Sequence, residues 1–198
     1  MLESAKAWGG RECICRIQQK LIGEGCDRPV ENCLVFAPVE GVFDHSEVTR
    51  AIPKGEAQRI LFEAEEAGLV HSPGNYRDGN YYICNCCTCC CGLLRNVAEF
   101  SIPTVIARSD FVAIVDAELC AGCGDCVAWC QFEALVMVEE VCLVDAGRCV
   151  GCGLCTTLCP TEALHLQRRA EGEVPLPPMT SKEWSAQRAL ARGLTELP

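Results

Sequence analysis

The chain contains 198 residues, 19 of them cysteine, and its formal net charge at neutral pH is −10. This acidity argues against a non-specific nucleic-acid surface and against binding to anionic membranes. No apolar run approaches the ~18 residues of a membrane span, and the N-terminus lacks the apolar region of a secretory signal. We therefore expect a soluble, cytoplasmic protein that neither binds nucleic acid nor inserts into a membrane.

The cysteine content is the strongest compositional feature. Cysteine at roughly a tenth of the residues indicates either a disulfide framework or metal sites. Disulfide frameworks belong to small exported domains, and an odd number of cysteines cannot pair completely within one chain. Metal sites are therefore the favoured interpretation.

Two helices are predicted in the N-terminal half. The segment RECICRIQQKLI places Ile14, Ile17 and Leu21 at helical spacing. Further along, Pro53 suits the first position of a helix, apolar residues then recur at i, i+3, i+4 and i+7, and Gly68 ends the run. On these patterns we predict a small, mainly helical N-terminal domain.

The segment YYICNCCTCCCGLLR, residues 81–95, carries six cysteines within eight positions. Neighbouring residues on an extended chain face opposite ways, so these six cannot all bind one cubane cluster. They could bind one further cluster together with earlier cysteines, or touch two clusters, one on each side. They could also hold zinc, form a thiol pair with disulfide redox chemistry, or be buried and inert.

The ten cysteines of the N-terminal half would suffice for two sites of four ligands each. We therefore predict one or two additional iron–sulfur clusters in this half. Cys13 and Cys15 would serve one cluster only from a loop or a helix start, because positions i and i+2 do not share a helix face. The predicted ligands are Cys13, Cys15, Cys26, Cys33, Cys86, Cys87 and Cys90.

An internal duplication follows. DAELCAGCGDCVAWCQFEAL begins at Asp116 and DAGRCVGCGLCTTLCPTEAL at Asp145, so the shared landmarks are displaced by 29 residues. Each copy contains C-x2-C-x2-C-x3-C, in which the first three thiolates, on a tight loop, can reach three corners of one cubane. Zinc ribbons pair two C-x2-C knuckles, so the third such step would be surplus. Strand-like segments flank each copy and predict a βαββαβ module.

With these motifs, residues 111–167 resemble the bacterial-type ferredoxins with two [4Fe–4S] clusters. The resemblance implies that the fourth cysteine of each copy ligates the cluster of the other copy. The family places proline after that cysteine; Pro160 fits the pattern and Gln131 departs from it. Cys142 lies outside the motif and is predicted to be a buried strand residue. One cluster would be held by Cys120, Cys123, Cys126 and Cys159, and the second by Cys149, Cys152, Cys155 and Cys130.

The N-C-C-x-C-C-C pattern ahead of this module is similar to that of iron–sulfur proteins found in anaerobes. The complete prediction is an α+β protein, in which residues 1–100 form the cysteine-rich domain and 101–169 the ferredoxin domain. Residues 170–198 are predicted as a Pro-rich linker and a helix. Trp184 and Leu190 of that helix are available for docking, either on the chain's own domains or on a partner subunit.

We predict electron transfer as the function, with no catalytic residues. No nucleotide- or dinucleotide-binding loop is present in the sequence, so the chain is interpreted as the relay subunit of a larger anaerobic oxidoreductase, within a hetero-oligomeric complex. Its acidity favours redox partners with a basic docking patch. The alternatives are a redox enzyme whose N-terminal cysteine cluster or thiol pair is the reaction centre, and a redox sensor.

Overall fold

The computed structural model describes residues 1–194. The strand order across the N-terminal sheet is β3-β1-β2-β5-β4, and every pairing is antiparallel. This half is therefore rich in sheet, and the prediction of a mainly helical N-terminal domain is wrong. The five strands are β1 (Ala7–Glu12), β2 (Glu31–Ala37), β3 (Arg50–Ile52), β4 (Val70–Pro73) and β5 (Tyr82–Cys86).

The sheet forms because its central strand has a two-residue period. Every second side chain of β2 is buried, and Leu34 and Phe36 pack with Ile52 of β3 in one apolar cluster. On β1, Trp8 pairs with Phe36 on one side and with Ile52 on the other. These partners are distant in the sequence, so helical periodicity alone could not predict the sheet.

Helix α2, the second predicted helix, packs on this sheet. It runs over Lys54–Glu66 and is preceded by Pro53 as its N-cap residue. Its buried residues are Ala57, Ile60 and Ala64, which follow the predicted helical spacing. The small alanines let the helix lie close to the strands.

Helix α1 (Ile14–Leu21), the first predicted helix, is also present but buries a different residue from those that predicted it. The side chains of Ile14 and Leu21 are exposed, whereas Arg16 is completely buried. The helix therefore presents a cation, rather than an apolar stripe, to the interior.

Helix α3 (Gly92–Ala98) leads from the cysteine run into the second half. That half has the predicted strand and helix order, with β6 paired to β9 and β7 paired to β8, both antiparallel. Cys142 is buried on β8, as predicted. The elements are β6 (Phe111–Val115), α4 (Asp125–Trp129), β7 (Leu135–Val138), β8 (Val141–Val144), α5 (Leu154–Leu158) and β9 (Leu164–Arg168).

The C-terminal helix α6 (Ser181–Ala191) follows the Pro-rich linker. The backbone N–H of Arg77 donates to the carbonyl oxygen of Pro178 at 3.0 Å, so the linker lies against the N-terminal half. Leu190 on α6 is exposed. The predicted segment 170–198 extends beyond the described residues, which end at 194. Over this described range, no helix is both long and apolar enough to cross a bilayer.

Candidate metal centres

The cysteine loops of the second half precede α4 and α5, and glycines shape both loops. Gly124 and Gly153 lie directly before these helices with φ of 79° and 85°, a region in which L-residues are strained. At Gly151 the loop comes so close to β6 that a Cβ atom would lie 2.1 Å from the carbonyl oxygen of Phe111. The loops can therefore close tightly around the space between them.

That space consists of two cavities, one slightly larger than the other. Each takes three cysteines from one copy of the repeat and the fourth from the other copy. The structure thus brings the eight predicted residues together in the two predicted sets. The larger cavity is lined by the Cys149 set (Cys149, Cys152, Cys155 and Cys130), and the smaller by the Cys120 set (Cys120, Cys123, Cys126 and Cys159). Cys142 of β8 also lines the smaller cavity.

The walls of both cavities are largely apolar. Ala113, Leu135 and Leu154 line the larger cavity, and Met137 and Leu164 line the smaller one. Four thiols in such surroundings fit a [4Fe–4S] cluster, which takes four thiolate ligands and whose potential depends on shielding from solvent.

Residues 119–163 match the family model of the 4Fe-4S dicluster domain. The matched stretch contains all eight cysteines of the two sets. The chain therefore carries an iron–sulfur electron-transfer domain of the 4Fe-4S type, referred to below as the dicluster domain. No curated protein matches the chain.

Four cysteines of the N-terminal half form a compact group beside α2. The Sγ atoms of Cys26, Cys87, Cys89 and Cys90, hereafter the quartet, all lie within 4.8 Å of one another. Cys26 Sγ is 3.9 Å from Cys87 Sγ and 3.6 Å from Cys90 Sγ. Cys87 and Cys90 are buried with Ala64 and Leu69, while Cys89 is exposed. The quartet is a candidate metal site.

The other six N-terminal cysteines form a second group, hereafter the sextet. Cys84, Cys86 and Cys91 lie in one apolar cluster. The pairing of Leu34 with Ile83 brings Cys33 on β2 beside Cys84 on β5. The proximity of Cys33 raises the pKa of the Cys13 thiol, and burial followed by the proximity of Cys91 and Cys13 raises the pKa of Cys15. The hydrogen bond with Cys33 lowers the pKa of the Cys84 thiol, and the hydrogen bond with Cys84 raises the pKa of Cys86. The pKa values of the sextet thiols therefore depend on one another.

The structure divides the seven N-terminal ligands predicted from sequence between these groups. Cys26, Cys87 and Cys90 lie in the quartet, and Cys13, Cys15, Cys33 and Cys86 in the sextet. Cys13 is the N-cap residue of α1, the helix start that its joint use with Cys15 requires. Because Cys86 and Cys87 fall in different groups, the cysteine run contributes to two sites.

Sequence reasoning missed three members of these groups, Cys84, Cys89 and Cys91. Cys84 had a usable signal, because it lies two positions before Cys86 on β5 and strand side chains alternate between faces. Cys89 and Cys91 lie in the turn after β5 and at the N-cap of α3, where no simple period applies.

A buried cation lies between the quartet and the sextet. Arg16 is fully buried and donates to the carbonyl oxygens of Pro29 and Asn85 and to Oδ1 of Asn32. Burial lowers the pKa of its guanidinium, but the thiolates of Cys13, Cys87 and Cys26 raise it, and the net shift is upward. The guanidinium is therefore positioned to offset the negative charge of both groups. No pattern in the sequence indicates this role.

Gln131, which departs from the ferredoxin pattern, joins the dicluster domain to the N-terminal half. Its Oε1 accepts from the backbone N–H of Thr88 at 2.8 Å, and its Nε2 donates to the carbonyl oxygen of Gly68. The indole of Trp129 lies against the same glycine. Proline has no side-chain amide and could not form this bridge, which explains the departure.

An apolar cluster also spans the two halves. Cys86 and Cys91 of the sextet pack with Phe132 and Leu154, and Cys130 and Cys152 of the Cys149 set lie against the same cluster. The sextet therefore adjoins the Cys149 set. On the Cys120 set, Cys123 is exposed. The apolar cluster shared with the sextet includes cysteines of the Cys149 set, whereas those of the Cys120 set line the other cavity.

Proposed function

We propose that the protein is an electron-relay subunit of a larger oxidoreductase. The observation that carries this proposal is the crossed arrangement of eight cysteines around two adjoining apolar cavities. We assign the Cys120 set and the Cys149 set as the ligands of two [4Fe–4S] clusters. Such clusters, when bound, exchange single electrons.

The crossed arrangement makes the two sites depend on each other. Cys130 follows α4 of the first copy but lines the cavity of the second, and Cys159 does the reverse. Neither set is complete until both copies have folded together. The apolar walls limit the access of water to the thiolates, most completely at Cys126 and Cys149, which are buried.

The sextet extends this arrangement into the N-terminal half. It offers six thiols where a cubane needs four, and it shares an apolar cluster with the Cys149 set. We propose that it holds a further iron–sulfur cluster, next to the Cys149 set on the side of the N-terminal half. A partner would then dock near the Cys120 set, where Cys123 reaches the surface.

Metal analysis tests the ligand assignment. We expect anaerobically purified protein to contain at least about eight iron and eight sulfide atoms per chain, and about twelve of each if the sextet is also filled. Cys155→Ala should lose the cluster of the Cys149 set, and the magnetic coupling between reduced clusters should disappear from the EPR spectrum. Cys142→Ala is the matched control, because Cys142 is a buried cysteine that lines the smaller cavity, with its Sγ 3.5 Å from Cys126 Sγ, and belongs to neither predicted ligand set. Equal iron loss in the two variants would contradict the assignment.

The charge of the chain predicts how electron transfer depends on salt. With a formal charge of −10 before any cluster binds, encounter with a basic redox protein is accelerated by attraction that salt screens. In anaerobic stopped-flow measurements, the rate of reduction of a basic c-type cytochrome should fall as ionic strength rises. The rate with an acidic flavodoxin should not fall. A flat profile with the cytochrome would count against an acidic docking surface.

The surplus of thiols in the sextet supports a second candidate function. Two thiols beyond the four that a cubane takes would leave a reactive pair, so the sextet could be the reaction centre of a redox enzyme. An EPR signal of the N-terminal cluster that changes on addition of a substrate would favour this candidate over the relay.

A further inference from the structure

We propose that the quartet binds one tetrahedral divalent ion, Zn²⁺ or Fe²⁺, held by four thiolates and without inorganic sulfide. The site would be structural and distinct in kind from the clusters of the dicluster domain. It is independent of electron transfer by that domain.

The separation of the sulfur atoms carries this assignment. A metal–sulfur bond of about 2.3 Å in a tetrahedron places the sulfur atoms ~3.8 Å apart. The Sγ distances from Cys26 are 3.9 Å to Cys87 and 3.6 Å to Cys90, and all four Sγ atoms lie within 4.8 Å of one another. A four-iron cluster needs wider spacing, because each thiolate binds a different iron. Among the described residues, the quartet is the one group of metal-ligating side chains whose ligand atoms come this close together, whereas the cysteines of the Cys149 set surround a cavity.

The surroundings of the quartet suit a closed site with a charge of about −2, the sum of four thiolates and one divalent ion. The guanidinium of Arg28 lies 3.6 Å, measured from Nη1, from Cys89 Sγ. Arg16 lies near Cys26 and Cys87 from the buried side. Two cations therefore face the thiolates, one at the surface and one in the interior.

An ion here would connect segments that are far apart in the sequence. Cys26 belongs to the loop between α1 and β2, and Cys87 lies 61 residues later. Arg28 also donates to the carbonyl oxygen of Ala67 at the end of α2, at 3.1 Å. Thr88, within the quartet segment, donates to Gln131. Metal binding would thus fix the turn on which the dicluster domain docks.

The ratio of metal to sulfide distinguishes this site from a cluster. Cubane clusters contain iron and sulfide in equal numbers, whereas the quartet would add about one metal atom without sulfide. In full-length protein purified without oxygen, iron plus zinc should exceed sulfide by about one atom per chain. Elemental analysis identifies the ion as zinc or iron. This measurement requires no variant.

Cys89→Ser supplies the variant test, because Cys89 is exposed and its replacement leaves the buried thiols in place. The variant should lose the excess metal atom and keep its sulfide, while Cys142→Ala should keep both. When produced in zinc-depleted medium supplemented with Co²⁺, the parent protein should show the visible absorption of a tetrahedral cobalt–thiolate site. Cys89→Ser should not show this absorption. Loss of iron and sulfide together in Cys89→Ser would show that the quartet holds a cluster. Equal metal and sulfide in the parent protein would show that it holds no separate ion. Either result overturns the assignment and leaves the dicluster domain unaffected.

Discussion

Replacing Arg16 with methionine is expected to destabilise the N-terminal half by roughly 3–5 kcal/mol, the usual effect of removing one member of a buried charged network. The side chain is fully buried and donates to Pro29, Asn32 and Asn85. Methionine fills part of the volume but leaves three acceptors without donors, at about 1–3 kcal/mol each in mutational series. It also leaves the thiolates of both N-terminal groups without their shared cation. Stability and metal content should therefore fall together.

Anaerobic urea unfolding followed by circular dichroism, with iron and sulfide analysis of each sample, measures both effects. Arg11→Met is the matched control, because Arg11 is exposed on neighbouring β1. Arg16→Lys should recover little, since one ammonium group cannot reproduce the planar fork that spans three acceptors. An unfolding midpoint and metal content for Arg16→Met equal to those of Arg11→Met would refute the role assigned to this guanidinium.

Gly151→Ala is expected to prevent the Cys149 set from binding its cluster. The added Cβ would lie 2.1 Å from the Phe111 carbonyl oxygen and 2.8 Å from Ser109 Cβ. Neither atom belongs to the flexible end of a long side chain, so the loop itself must shift. Cys149 and Cys152 flank this glycine closely, and the shift would displace two ligands at once. About four of the eight irons of the dicluster domain should be lost.

Gly124→Ala is the control that distinguishes a steric clash with β6 from backbone strain at a positive φ. Gly124 has a similar positive φ, 79° against 73° at Gly151, but the nearest atom to its added Cβ is Met137 Cγ at 3.9 Å. Only the conformational effect of about 1 kcal/mol applies there, and the variant should keep its iron. If both variants lost iron equally, strain at φ rather than contact with β6 would be the cause. If Gly151→Ala kept its iron and stability, the loop would be less constrained than its geometry indicates.

The parts of the fold that could be predicted from sequence are those fixed by short-range spacing. The repeated three-residue spacing of the cysteines predicts the shape of each loop. The offset of 29 residues between Asp116 and Asp145 predicts that the flanking strands are repeated as well. Helix α2 follows from its period and from Pro53. In these segments the information lies within about one turn or one loop, so no distant partner has to be known.

The N-terminal sheet depends on distant partners and could not be predicted in this way. Strand β1 contains Gly9 and Gly10 and has no clear alternation. Its need for glycine becomes visible only in the fold, where a Cβ on Gly9 would lie 2.3 Å from Cγ2 of Thr49. The pairing of β1 with β2 and β3, rather than its own composition, makes it a strand.

The division of the ten N-terminal cysteines into the quartet and the sextet could be predicted only in part from the sequence. Strand alternation could separate Cys84 and Cys86 from Cys87, but it could not show that Cys26 joins Cys87 and Cys33 joins Cys84. Arg16 gave no signal at all, because an arginine in a short amphipathic helix ordinarily faces water. In the fold it is buried against acceptors from two distant segments, Pro29 and Asn32 in one and Asn85 in the other.

The two copies of the repeat differ in the residue that follows the fourth cysteine, which is Gln131 in the first copy and Pro160 in the second. At one end of the dicluster domain, Gln131 bridges to Thr88 and Gly68, so this end is packed against the N-terminal half. At the other end Pro160, the ordinary residue of the motif, remains exposed. The two ends of the dicluster domain are therefore not equivalent, because the end with Gln131 is bonded to the N-terminal half and the end with Pro160 is exposed.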